Sequence, residues 1–421
     1  MPRIRWLFIW LCFLANAIGY IDRANLAIAA HGIQAELHIG AAQMGLILSA
    51  FFWTYAFMQM PAGWVVDRIG VRISLTVAVV WWSIFTMATG AARNIVHFFG
   101  ARLMLGLGES ATMPSFTKTA FNWFPRRERG LACGIFNSGS VAGNVMSLPL
   151  VTTLILIVGW RGAFLVTGLI GLIWALAWWF IYRDPEHYRA AAPAEVDALL
   201  AERAPPPTGA HIPWSSLFRY RSIWGLMIGM FCLNFAIYFF ITWFPSYLQE
   251  ARGFSLARLR WLGMLPGLMG IAGSQGGGYL SDWLLSRGWS HTAARKTCLV
   301  TGMALASSIG LSAFVDSNWA CLALLTLAYA SLSFTGANMW AVASEIAPTP
   351  GHVASIGGIQ NFAGNLAGIL ISVFTGQMLK LTNGSFLIPL ATAGALCLVG
   401  ALSYLFVVGK VEPLPALKRS R

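Results

Sequence analysis

The sequence predicts an all-α membrane protein of twelve transmembrane helices, arranged as two pseudo-symmetric halves of six. Three observations carry this reading. Of the 421 residues 57% are hydrophobic and only 10% charged, where a soluble domain has about 25% charged residues, and the mean hydropathy is +0.67. Apolar runs of about 20 residues, the length that crosses a hydrocarbon core, recur along the whole chain. One long polar stretch lies near the middle, and fragments of the first half recur in the second. What lies outside the apolar runs is too short for a soluble catalytic domain, so no enzyme is expected.

Taken in order, the spans fall near 6–28, 43–66, 73–91, 95–122, 128–153, 160–182, 222–247, 257–285, 296–315, 318–346, 353–378 and 385–409. The start, M-P-R-I-R before an apolar run, is signal-like. Asp22 and Arg23 interrupt that run and no small-residue cleavage site follows, so the first helix is read as retained. The polar stretch 183–214 is rich in proline and charge and reads as a linker, with a short helix expected over 194–203. The chain therefore divides into an N-terminal bundle (1–182), a linker (183–221) and a C-terminal bundle with a short tail (222–421).

A formal charge of +13 invites a nucleic-acid reading, but its distribution argues against one. If the N-terminus is cytoplasmic, nineteen Lys and Arg lie on that side, six on the other and three within spans. Cytoplasmic loops carry such an excess, so both termini are expected in the cytoplasm. The six cysteines are scattered singly and read as small core residues, not as a disulfide framework or metal site. No G-x-x-x-x-G-K-[ST] loop supports an ATPase and no H-E-x-x-H pair supports a metalloenzyme. The remaining energy source is an ion gradient.

The halves echo one another. G-W-V-V-D-R-I-G-V-R (63–72) returns in reduced form as G-Y-L-S-D-W (278–283), and G-I-F-N (134–137) as G-I-Q-N (358–361). Parallel repeats of six spans are one of the known transporter plans.

Only Asp22, Arg23, Arg102 and Glu109 lie deep within spans. A charge at mid-bilayer costs at least about 2.5 to 3.5 kcal/mol, so such residues are normally paired, cavity-facing and functional. Arg102 and Glu109 stand two helical turns apart on one face of span four, about 10.5 Å along the axis. Asp22 and Arg23 diverge by about 100° around span one and need different partners. One arrangement pairs Asp22 with Arg102 and aims Arg23 into a central cavity; a static salt-bridge cluster is the alternative. Tyr20 and Arg23, three residues apart, share a stripe. A buried carboxyl holds its proton more tightly than in water and a nearby guanidinium loosens it, while arginine keeps its charge and offers a fork suited to a carboxylate.

The loop G-x-x-x-D-R-x-G-x-R, complete here as Gly63, Asp67, Arg68, Gly70 and Arg72, resembles the signature of the major facilitator superfamily, and the resemblance covers the whole chain. Y-I-D-R-A-N-L-A, R-x-x-x-G-x-G-E in span four, W-F-P-x-x-E-R (123–129), T-W-F-P-S-Y-L (242–248) and Q-N-F-A-G (360–364) resemble its anion:cation symporter family, which includes sugar-acid and phthalate-type carriers. The resemblance implies uptake of a small organic carboxylate together with protons in a bacterial inner membrane, by a monomer with no cofactor beyond the coupling proton.

By that resemblance Asp22 and Glu109 carry the coupling protons, Arg102 links protonation to occupancy, and Arg23 holds the substrate carboxylate. Tyr20, Tyr55, Trp340 and Asn361 join the pocket, with core packing the alternative for each aromatic. Asp67, Arg68 and Arg72, with Asp282 as the second-half echo, form the cytoplasmic gate, with topology alone as their alternative. Lys118 is read as snorkelling and Glu345 as a boundary charge. Glycine pairs such as Gly139 with Gly143 and Gly364 with Gly368 permit close helix contact.

Two departures bear on the substrate. Ser140 stands where the sugar-acid pattern has glutamine, and A-N-M-W (337–340) replaces hydroxyl-bearing residues. Fewer hydrogen-bond groups suit a less hydroxylated or aromatic carboxylate. A drug exporter of the same fold and a non-transporting membrane sensor are the rival readings.

Overall fold

The structure, a computed structural model, describes residues 2–188, 214–347 and 353–414. The regular elements among the described residues are all helices, and the chain forms two compact units, Met1–Gly209 and Ala210–Arg421. The helix expected over 194–203 and the tail after residue 414 lie outside the described residues.

In the first unit α1 runs Pro2–Leu37, α2 Ala41–Ile69, α3 Val71–Gly90, α4 Ile95–Glu109, α5 Thr112–Trp123 and α6 Arg126–Ile181. Between α2 and α3 the chain turns at Gly70, whose φ of 82° favours a residue without Cβ. Asn94 caps α4, its side chain accepting from the His97 amide at 2.9 Å. Span four is broken into α4 and α5 because Pro114 has no N–H to offer Ser110 and its ring crowds that carbonyl. The break falls immediately after Glu109. Spans five and six form one long element, α6, whose two legs meet at Gly159, where φ is 74°.

In the second unit α7 runs Arg221–Thr242, α8 Leu265–Ser286, α9 His291–Ala306, α10 Asn318–Glu345, α11 Val353–Leu381 and α12 Leu387–Leu402. These follow the expected spans closely, with three local differences. Span seven stops at Thr242 and continues as a short turn at Phe244–Ser246 and a wider one at Tyr247–Ala251. Span eight is shortened at its start, since Pro266 opens α8 and Leu256–Leu262 forms a separate short helix. Span nine extends as Ser308–Leu311 after α9. Among the described residues eight stretches are long and apolar enough to cross a membrane, and one of them, Leu131–Ile181, contains the Gly159 bend and so holds two spans.

Glycine sets how closely the first unit packs. A Cβ at Gly106 would strike the Phe51 carbonyl of α2, and one at Gly108 would strike Trp81 of α3. These two glycines let α4 nest between α2 and α3. Side chains at Gly139 and Gly143 would likewise strike the main chain of α1 at Phe13 and Ala17, so the first leg of α6 lies directly on α1.

Candidate functional site

The nesting of α4 brings Arg102 and Glu109 against α1. Glu109 is buried and its Oε2 accepts twice from Arg23, from Nε at 2.6 Å and from Nη2 at 2.5 Å. The guanidinium lies among three rings, 4.7 Å from the Tyr20 centroid and 4.6 Å from those of Phe51 and Tyr55. Tyr20 is one helical turn before Arg23, while Phe51 and Tyr55 are one turn apart on α2, so two helices close a cage around one cation. Gly19 makes room on the far side: a Cβ there would sit 3.7 Å from the Glu109 carboxyl carbon. Ser140 neighbours the Tyr20 hydroxyl and donates to the Asn137 carbonyl at 2.7 Å.

The expected pairing of Asp22 with Arg102 is corrected. Arg102, 3% exposed, points its guanidinium at main-chain carbonyls of α1, donating to Asp22 O at 3.3 Å and to Arg23 O at 3.4 Å. It braces the backbone that carries both residues, while its expected partner lies against the Thr86 and Thr167 hydroxyls. Arg23, expected to face an open cavity, is instead held by Glu109.

In the second unit Trp340 is half exposed near the end of α10, and a Cβ at Gly357 would lie 3.5 Å from its ring. Asn361 follows Gly357 by one turn of α11 and so lies on the helix face that meets Trp340. Around them runs an amide seam not singled out in the sequence. Asn365 Nδ2 donates to Asn361 O at 2.9 Å, and Tyr238 OH donates to Asn365 Oδ1 at 3.3 Å. A Cβ at Gly364 would strike Asn234, so α7 and α11 touch there. Asn338 turns inward, donating to Gly277 O at 2.9 Å and accepting from Arg295 at 3.2 Å.

The loop residues of the first unit have partners within it. Asp67 pairs with Lys118 at 2.9 Å, and the same ammonium donates to the Val66 and Asp67 carbonyls at the end of α2. Arg68 stacks on Trp64 at 4.3 Å. Arg72 donates to the Trp179 carbonyl at 2.7 and 3.1 Å and stacks on its ring. Asp282, their echo, is exposed. Glu345 is more than a boundary charge: Arg295 grips its Oε1 at 2.7 and 3.0 Å and also donates to Ser281 at 2.8 Å.

Residues 12–372 match the model of the Major Facilitator Superfamily. The chain belongs to that superfamily. It is 32% identical to a probable L-galactonate transporter of Escherichia coli K12 over 97% of this chain and 90% of that protein. It is 33% identical to a probable galactarate/D-glucarate transporter of Bacillus subtilis, over 99% and 95%, and 33% identical to a probable sulfoacetate transporter of Cupriavidus necator, over 96% and 94%. Its fold matches a crystal structure of a bacterial homologue of the human lysosomal transporter Spinster, with a TM-score of 0.76 at 19% identity over 97% and 95% of the chains.

The twelve-helix architecture is therefore that of the superfamily, and the chain is a multi-pass membrane transporter rather than an enzyme. Within this family member, sequence reasoning missed Phe51, the third wall of the cage. Its signal was present: Phe51 and Tyr55 stand four apart in S-A-F-F-W-T-Y-A.

Proposed function

We propose that the chain is a proton-coupled symporter of the anion:cation symporter family that takes up a small organic carboxylate of the sugar-acid class across a bacterial inner membrane. The observation that carries the proposal is the hold of Glu109 on Arg23. A substrate carboxylate needs the guanidinium fork that Glu109 occupies, so anion and side chain compete for one cation. Protonating Glu109 removes its charge, frees Arg23 for the anion and neutralises a buried acid that would otherwise be left unpaired, a loss of about 3 to 5 kcal/mol. Binding of substrate and binding of a proton thereby become one linked event.

Arg23 is the anchor, caged so that its fork points at one place. In the first unit Tyr20, Tyr55 and Ser140 supply further contacts, and Trp340 and Asn361 are the substrate residues we assign in the second unit. Asp22 is the second proton site, and Arg102 fixes the α1 backbone so that protonation is felt at Arg23. Asp67, Arg68, Arg72 and Asp282 serve the cytoplasmic gate, with both termini in the cytoplasm and the monomer as the working form. The relatives named for galactonate, galactarate, glucarate and sulfoacetate all have names that specify small acids, which supports an anionic substrate. Serine at 140 and inward-facing Asn338 leave fewer hydroxyl partners, which favours the less hydroxylated members of the class.

Proteoliposomes offered a panel of sugar acids and aromatic carboxylates, with and without an inward proton gradient, test the reading. Accumulation of at least one carboxylate only when the gradient is imposed is expected. Gradient-driven export of neutral or cationic compounds, or no flux, would replace it with the exporter or the sensor.

A further inference from the structure

We propose that Asp22 opens onto a small hydrated chamber enclosed within the first unit, walled by Asn25, Thr86 and Thr167, in which bound water carries protons to and from the carboxyl. This rests on the reading of Asp22 as a proton site and adds the residues that serve it.

Asp22 is fully buried, and neither carboxylate oxygen has a hydrogen-bond partner among the described residues. The charged groups acting on it are Glu109 and Arg102, both from α4, with Arg23 beside it on α1. None of these neutralises it directly, because Arg102 turns to main-chain carbonyls and Arg23 to Glu109. From α2, Phe51 and Tyr55 face Arg23. From α3 and the second leg of α6 the polar neighbours of Asp22 are the hydroxyls of Thr86 and Thr167.

Thr167 Oγ1 accepts from Asn25 Nδ2 at 3.0 Å and lies 3.4 Å from the Phe164 carbonyl. Asn25 Oδ1 and Thr86 Oγ1, on residues that are fully buried, have no partner among the described residues. Two carboxylate oxygens with the Thr86 hydroxyl beside them, and the oxygen of the Asn25 amide that reaches Thr167, are thus without a partner among the described residues in an interior where polar groups are normally satisfied. A buried water makes two to four bonds to such groups, and this set supplies them. The polar line continues along α3, where Ser83, three residues before Thr86 and also unpartnered and buried, faces Gly171, four residues after Thr167. A side chain at Gly171 would strike Ser83 Oγ. Glycine at 171 is what leaves room for the Ser83 side chain.

Thr86→Val and Thr167→Val replace each hydroxyl by a methyl of similar size, and Thr86→Ser and Thr167→Ser restore it. In purified protein, the infrared carbonyl band of protonated Asp22 is identified by its loss in Asp22→Asn. It is expected to move to higher frequency in each Val variant and to return in each Ser variant. In proteoliposomes the pH of half-maximal uptake should move up by about one unit in the Val variants, the effect of losing one hydrogen bond that the bound water, held by the threonine, makes to a charged acceptor, and replacing sodium by choline should change nothing. An unshifted band in both Val variants, or uptake lowered equally at every pH, would overturn the chamber and leave the threonines structural. A band that responds to sodium would overturn it in favour of a metal-ion site. Uptake by the unaltered protein that ignores pH would sink the symport reading alone, and the band would still decide the chamber.

Discussion

Arg23 binds Glu109 through two donors on a single oxygen, Nε at 2.6 Å and Nη2 at 2.5 Å, leaving Oε1 without a partner among the described residues. Both donors face one side of the guanidinium, the side a substrate carboxylate would use. On the proposed reading the pair is a closed switch: what holds Arg23 is also what must let go.

Arg23→Lys keeps the charge and loses the fork and the flat face stacked among three rings. Charge-assisted hydrogen bonds contribute about 1.5 to 3 kcal/mol each, so substrate affinity should fall by about 10- to 100-fold. Equilibrium binding of radiolabelled substrate to the purified protein checks this, and proton binding should be spared. Asp22→Asn should do the reverse, keeping substrate binding and losing gradient-driven accumulation.

Phe51→Leu removes one wall of the cage while keeping an apolar side chain. Cation–π contacts are worth about 0.5 to 2 kcal/mol, so KM for uptake should rise by about 2- to 30-fold with folding intact. A KM that does not change would demote Phe51 to core packing.

Gly106→Ala tests the nesting of α4. Its Cβ would strike the Phe51 carbonyl and Thr54 Oγ1, and overpacking of this kind costs about 1 to 3 kcal/mol. Thermal unfolding of the purified protein should shift to lower temperature, and the Arg23–Glu109 pair should loosen with it. Gly100→Ala, where a Cβ meets nothing within 4 Å, is the matched control and should unfold as the unaltered protein does.

Much of the fold was legible because hydrocarbon demands long apolar runs, and the breaks were written as proline and glycine: Pro114 at span four, Gly159 between spans five and six, Pro266 at span eight. The list of buried charges was legible too, since so few residues in the spans are ionisable. Their pairing was not. A 100° turn separates Asp22 from Arg23, but which of them meets α4 depends on how closely α4 approaches. That approach is set by Gly106 and Gly108, through contacts with the main chain of α2 and side chains of α3. Lys118 on Asp67 and Arg295 on Glu345 escaped for the same reason: each joins residues 50 or more positions apart, at a crossing point that periodicity does not specify.

The central claim is that the substrate carboxylate and the Glu109 carboxylate compete for Arg23, so that substrate and proton bind together, and proton uptake on substrate binding tests it most directly. Purified protein in weakly buffered solution, mixed with a transported carboxylate at a pH where Glu109 is ionised, should draw protons from solution, up to about one per substrate bound. Glu109→Gln should bind the same carboxylate at least as tightly, with an affinity less dependent on pH, and draw fewer protons or none. Substrate binding that takes up no proton in the unaltered protein, or takes up the same number in Glu109→Gln, would contradict the account.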